Sequence, residues 1–139
     1  MKALNTNISS IEIHQDWKYI TVSAVLGCKN LSGQINLENI KSIGASAFLN
    51  CPKITSVKLS NSLKEIGYQV FGSCTNLQSV TIQDGVTSIG EKAFNRCSNL
   101  TAVNYTGTEE QWNAITIGEY NDDLNNATKT YNYDPNAQV

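Results

Sequence analysis

A segment of 23 residues recurs along this chain without gaps, and that recurrence limits the fold more than any other feature. SAFLNCPKITSVKLSNSLKEIG, from Ser46, aligns with QVFGSCTNLQSVTIQDGVTSIG, from Gln69, and KAFNRCSNLTAVNY, from Lys92, continues the series. Phe48, Phe71 and Phe94 fall in register, as do Cys51, Cys74 and Cys97. Ile54, Leu77 and Leu100 form a third column, and Val57, Val80 and Val103 a fourth. Ile43, Ile66 and Ile89 are each followed by glycine, at Gly44, Gly67 and Gly90. Upstream, SAVLGCKNL adds Cys28 to the cysteine column; Ile35 and Leu37 then sit one residue late, and Ile40 is back in register. Further back, Ile8, Ile11, Ile13, Trp17, Ile20 and Val25 take column positions, with Asn5 where the cysteine would stand. The self-similarity amounts to about four and a half turns.

The Val-x-Ile alternation closing each unit reads as a short strand with its apolar residues inward. The Ile-Gly that follows predicts a tight turn in which glycine takes a positive φ. Stretches such as Glu91 to Cys97 are too short for a full helix and suit one helical turn or an irregular return. One unit cannot bury its apolar side, whereas stacked units bury a continuous column, so the chain is expected to be a solenoid. After Tyr105 the period stops. Thr108, Glu109, Glu110 and Gln111 have the spacing of a capping box, which predicts a short helix with Trp112 and Ile115 on one face, serving as a lid over the last turn. A strand is expected near Thr128 to Tyr133. Residues 1–139 therefore read as a single domain, with repeats over 5–105, a cap over 106–133 and a frayed tail at 134–139.

Charge narrows the function. Ten Lys and Arg against twelve Asp and Glu leave a net charge of -2, and no basic run with interleaved aromatics occurs. Nucleic acid and anionic membrane, which need a cationic surface, are poor partners for such a chain. No segment approaches the roughly 18 apolar residues of a membrane-spanning helix, so no membrane insertion is expected. MKALNTNISS lacks the apolar run of a signal peptide.

Several residues invite a chemical role. The four cysteines sit 23 apart at one repeat position, without a Cys-x-x-Cys pair or a nearby histidine. Buried structural thiols are the favoured reading, ahead of a disulfide between neighbouring turns or a metal site. His14 is the only histidine and falls at an outward place just after a strand. Asp122 and Asp123 lack the spaced oxygen ligands of a calcium loop. Trp17 and Trp112 read as core or cap residues. Sequons stand at Asn7, Asn30, Asn99, Asn104 and Asn126. No phosphate loop, metalloprotease motif or nucleophile elbow is present, so neither an enzyme nor a cofactor is expected.

A binding surface follows from the strand alternation. If Val57 and Leu59 point inward, Ser56, Lys58 and Ser60 point outward. Equivalent outward residues are Glu12, Asn36, Ser79, Thr81, Gln83 and Asn104, which stacking would set side by side on a polar, nearly uncharged face.

The run VTSIGEKAFNRCSNLTAV, from Val86 to Val103, with its two upstream copies, resembles the BspA-like (treponemal-type) leucine-rich repeat of bacterial surface proteins and some protists. YTGTEEQWNAITIG, from Tyr105 to Gly118, is similar to the segment that often ends that family. The resemblance covers about residues 6 to 133. Where the family usually has proline after the strand, this chain has His14, Glu38, Ser60 and Gln83. The likeness implies a β-rich α/β leucine-rich-repeat solenoid, extracellular or surface-displayed, engaging a protein ligand in adhesion or recognition. A monomer is expected. The competing expectation is a structural spacer that displays another domain, favoured by the lack of aromatic anchors on the outward positions.

Overall fold

Each repeat bends the chain along three lines, and backbone groups bond from turn to turn along each, with one break in the second. The computed structural model describes residues 6–137. Asn5 and the last two residues of the tail lie outside them.

The first line is a five-stranded parallel sheet. Its strands are β2 (Ser32–Leu37), β4 (Lys53–Leu59), β6 (Ser79–Ile82), β8 (Ala102–Tyr105) and β10 (Thr128–Thr130), in the order β10-β8-β6-β4-β2. The second is made of two-residue strands: β1 (Tyr19–Ile20) pairs with β3 (Ser42–Ile43), while β5 (Glu65–Ile66), β7 (Ser88–Ile89) and β9 (Thr116–Ile117) form a separate group. The third is the return between them. There the N–H groups of Ser23, Val25 and Gly27 donate to the carbonyls of Ala45, Ala47 and Leu49 in the next turn, at 3.0, 2.8 and 2.8 Å. Phe48 to Val70, at 2.9 Å, and Phe71 to Ala93, at 2.8 Å, repeat the pattern. N–H groups between these donate three residues back, as Ala24 does to Thr21 and Leu26 to Ser23. The return is thus a chain of tight turns that satisfies its backbone without helix, as buried backbone requires.

Inside, the sequence columns become a continuous core. Phe48, Phe71 and Phe94 stack with ring centroids 5.5 Å apart at each step. Such stacking adds about 0.5–1.5 kcal/mol per pair beyond the burial itself. The one-residue insertion in the second unit is absorbed at Gly33, φ +82°, where β2 shifts register against β4. A glycine tolerates that backbone without strain. The first unit is looser. Among the described residues, 6–18 hold no strand; Ile8, Ile11 and Ile13 are half-buried, and a 3.4 Å bond from Ser32 N–H to Ser9 O joins this stretch to β2.

The glycine column has a different cause from the expected one. Gly44, Gly67 and Gly90 do not have positive φ. Positive φ falls instead on Ser23, Ser46, Gln69 and Lys92, and on Gly27, Asn50, Ser73 and Arg96, two columns that flank the return. Glycine is required after the isoleucine because neighbouring turns touch there. A Cβ on Gly44 would lie 2.3 Å from the Val22 nitrogen, on Gly90 3.1 Å from Gly67 backbone, and on Gly118 2.6 Å from the Glu91 nitrogen. Gly67 is the exception: a Cβ there would meet nothing closer than Val70 Cγ2 at 4.0 Å. This is the position where β3 and β5 fail to pair, and the bonds Gly44 N–H to Ile20 O and Gly90 N–H to Ile66 O have no counterpart between Gly67 and Ile43 among the described residues.

The cap continues the solenoid path with helices inserted. Thr108 and Gln111 form the expected capping box, with Gln111 N–H donating to Thr108 Oγ1 at 3.1 Å and Thr108 N–H to Gln111 Oε1 at 2.8 Å. Helix α1 (Glu109–Asn113) then buries Trp112 edge-on against Tyr105, 5.2 Å between centroids. Strand β9 continues the second line, α2 (Asp122–Asn126) replaces the return, and β10 adds to the large sheet. Asn121, buried just before α2, stands in for the missing next turn. Its Oδ1 accepts the Phe94 N–H at 2.9 Å, while its Nδ2 donates to the carbonyls of Gly90 and Gly118, each at 3.0 Å. Beyond β10 the chain turns at Asn132, φ +55°, and the described part of the tail lies across the ends of the strands.

Two outcomes check this account. Gly44→Ala and Gly118→Ala should each cost about 1–3 kcal/mol in denaturant unfolding, as overpacking does, whereas Gly67→Ala should stay within about 0.5 kcal/mol of the parent. Equal losses at all three would refute the broken line. Asn121→Ala should cost about 1–3 kcal/mol by orphaning Phe94 N–H, and Asn121→Leu should not recover it.

Candidate functional site: the strand face

Register in the large sheet is uniform enough to bring outward residues into rows. One row runs Gln34, Ser56, Ser79, Ala102, Thr128, and the next Asn36, Lys58, Thr81, Asn104, Thr130. Inward neighbours Val57, Val80 and Val103 are buried, so the rows stand on a rigid floor. Ser56, Ser79, Thr81 and Asn104 are half-buried, each shielded by its row neighbours, while Asn36 at the open edge is exposed.

The third expected row is not a row. Ser60, expected outward, is 1 % exposed, and its hydroxyl accepts the Ser62 N–H at 2.9 Å. A serine two residues before a free N–H closes its own turn in this way. Gln83 folds back to donate from Nε2 to Leu59 O at 3.2 Å. Glu38 turns toward Lys58 and forms an ion pair with it. Glu12 is exposed but lies outside any strand, beside a cleft of 320 Å³ between the first unit and residues Gln34 to Asn39. The structure therefore unites Asn36, Ser56, Lys58, Ser79, Thr81 and Asn104 on one surface, adds Thr128 and Thr130 from the cap, and leaves Glu12 and Ser60 off it.

Lys58 is the cation of the surface. Besides Glu38, its Nζ donates to the Pro135 carbonyl at 3.1 Å. The tail thus crosses the carboxyl-terminal ends of the strands, above a polar recess lined by Glu38, Asn39, Asn61 and Gln83. Sequence reasoning could not find this contact, since one bond over 77 residues leaves no periodic trace.

Exposed aromatic side chains lie elsewhere. Tyr19, Tyr68 and Val22 flank a shallow trough over Gly44 and Gly67 beside the second line of strands. Lys92 sits over the Tyr120 ring, 5.4 Å from its centroid. His14 is exposed, and its Nδ1 accepts the Asp16 N–H at 3.1 Å, a local turn. Asp122 and Asp123 occupy the first turn of α2, where burial and mutual repulsion raise the Asp123 carboxyl. No three of His, Cys, Asp or Glu converge to hold a metal among the described residues. Among those residues, too, no helix is long and apolar enough to cross a membrane.

Comparison with known proteins gives one consistent answer. A model of the BspA type leucine rich repeat region matches residues 4–119, in 6 copies. A leucine rich cell surface protein of Faecalibacterium prausnitzii A2-165 is similar in structure, with a TM-score of 0.70 and 25% identity over 82% of this chain. The leucine rich repeat protein of T. pallidum shares the fold, with a TM-score of 0.59 and 23% identity over 67% of this chain. This chain spans 37% of the first protein and 44% of the second. Among curated proteins, none matches.

The cysteine column is a ladder of protonated thiols. All four cysteines are buried and outside any disulfide. The thiols of Cys51, Cys74 and Cys97 donate to the carbonyls of Val25, Phe48 and Phe71 in the preceding turns, at 3.2, 3.2 and 3.1 Å. Burial pushes Cys51 up to about 11 and Cys97 to about 12 from an ordinary value of 9.0, and Cys74 rises well above it. A thiol held protonated is neither nucleophile nor metal ligand. Because the folded-state values exceed the unfolded ones, their stabilising effect is complete below pH 9 and is lost as pH rises toward 11–12. Unfolding free energy should therefore fall by about 1.4 kcal/mol per pH unit for each such thiol above pH 9. Cys97→Ala should flatten that limb measurably. A thiol reagent at pH 8 should modify the native protein at least about 100-fold more slowly than the unfolded chain, since reaction requires opening.

Proposed function

We propose, from the premise that this chain belongs to the BspA type leucine rich repeat family, that it is a non-catalytic protein-interaction module, carried at the cell surface, that receives its partner on the strand face. One observation carries the reading: five parallel strands hold two in-register rows of side chains, polar except for Ala102 and uncharged except for Lys58, on a buried apolar floor. Such a surface is preorganised, so a partner binding there orders few protein side chains on contact. Serine, threonine and asparagine in rows offer donors and acceptors without a charge to desolvate, which suits a polar polypeptide surface. The cell-surface assignment takes its support from the description of the F. prausnitzii protein. Adhesion to a host or matrix protein is the role such display would serve.

The spacer reading has its own support. Among the outward rows there is no Trp, Tyr or Arg, the residues on which tight interfaces usually rest. The two readings part in a binding screen of the purified chain against matrix and cell-surface proteins, run beside the double variant Thr81→Arg, Asn104→Arg. The interaction module should give a partner with micromolar affinity or better that the variant weakens by about tenfold or more, as bulk at an interface centre does. A partner held equally by both proteins would move the site off the strand face, and no partner at all would favour the spacer.

A further inference from the structure

The carboxyl-terminal edge of the strand face is already occupied, and the occupant belongs to this chain. Beyond β10, Asn132 turns the backbone at φ +55°, and its N–H donates to Gly107 O at 2.8 Å. Tyr133 N–H donates to Tyr105 O at 2.9 Å, which aims the next residues across the strand ends. Asp134 then closes a small turn on itself, its carboxylate accepting the Asn136 N–H at 2.9 Å and its carbonyl the Ala137 N–H at 3.2 Å. That turn presents the Pro135 carbonyl to Lys58 Nζ at 3.1 Å, above the recess of Glu38, Asn39, Asn61 and Gln83.

The chemistry of the recess is that of a receptor for a polypeptide backbone. An ammonium has three donors and no acceptor. Glu38 takes one and balances the charge, so what remains at Lys58 is a fixed donor suited to a neutral carbonyl. The Lys58 side chain is 19% exposed, its stem laid along the sheet, so the ammonium is held in place. Asn39, Asn61 and Gln83 add neutral amides around it. Proline supplies a segment that needs little further ordering, because its φ is already fixed.

We propose that this edge of the strand face is a seat for an extended peptide turn that offers a carbonyl to Lys58, and that Tyr133–Asn136 is its resident occupant, which an outside segment of the same chemistry must displace. The proposal rests on the strand face being the binding surface and names the part of it that is closed at rest. An intramolecular segment acts at an effective concentration of the order of millimolar, so an unlinked peptide competes only at similar concentration or after the tail is released.

The test uses the whole chain and a synthetic peptide of its own sequence from Tyr131 to Ala137, so it needs no outside partner. Tyr133→Pro removes the N–H that bonds Tyr105 and is incompatible with the left-handed Asn132 before it, which releases the tail without touching a strand. Amide shifts of Glu38, Lys58, Asn61 and Gln83 in NMR spectra report the seat. The expected result is that these shifts move in Tyr133→Pro, return toward the parent on adding the peptide with half-saturation well below the millimolar effective concentration of the tethered tail, and do not respond in Tyr133→Pro combined with Lys58→Met. In the parent the peptide should have little effect. Lys58→Met alone should shift Asn136 and Ala137 while leaving Phe71 and Val80 in the core unmoved, which separates loss of the seat from loss of fold. Shifts at the seat that are the same in the parent and in Tyr133→Pro would overturn the proposal, as would peptide binding that persists without Lys58. Either failure would leave the outer rows, and the screen for a partner on them, unaffected.

Discussion

Everything in this molecule depends on each turn finding the next at the spacing set by a backbone hydrogen bond. One unit is too short to enclose its Phe, Leu, Val and Ile, and its N–H and C=O groups have few partners of their own. Stacking answers both needs together. The bonds along the three lines fix the distance between turns, and that distance lets Phe48, Phe71 and Phe94 stack at 5.5 Å. The same spacing explains which residues are small. A side chain at Gly44 or Gly118 would push neighbouring backbones apart, and the strain would spread to the thiol ladder and to the aromatic stack.

A periodic lattice makes its ends the difficult places. At the carboxyl-terminal end the solution is mimicry. Asn121 offers an acceptor where the next carbonyl would be, and its Nδ2 ties that acceptor in place on the carbonyls of Gly90 and Gly118, so the last repeat meets a counterfeit of its own kind. Trp112, packed edge-on against Tyr105, covers the apolar end beside it. At the other end Ile8, Ile11 and Ile13 are half-buried, and among the described residues the first unit meets β2 without a strand of its own.

The parts legible in the sequence are those with a local or periodic signature. Columns of Phe, Cys, Leu and Val gave away the solenoid because stacking demands the same residue type every turn. The capping box at Thr108 and Gln111 was readable because both bonds lie within four residues. The rest depended on long-range geometry. Asn121 looks like any turn asparagine until Phe94 is placed beside it. Ser60 carries the pattern of an outward residue, but its hydroxyl serves the turn at Ser62 and is buried. The glycine column answers to close contact between turns and not to left-handed backbone, which falls on Ser46, Gln69 and Lys92, types that usually avoid it, because the surrounding turns over-determine the return.

The break between β3 and β5 gives the solenoid a grain. In a one-dimensional stack, cooperativity is carried only by contacts between nearest neighbours. The large sheet crosses this point without interruption through β2 and β4, but the second line does not. The coupling there runs through the large sheet and the return, where Phe48 N–H still meets Val70 O and the Phe48 ring still stacks on Phe71, with the second line missing. Under heat or tension along the axis this joint, held by two lines where the next is held by three, should part before those that follow it, with the turns from Glu65 onward, anchored by the cap, outlasting those before Gly44. A solenoid of near-identical units thus has a built-in order of failure, set by one absent row of bonds.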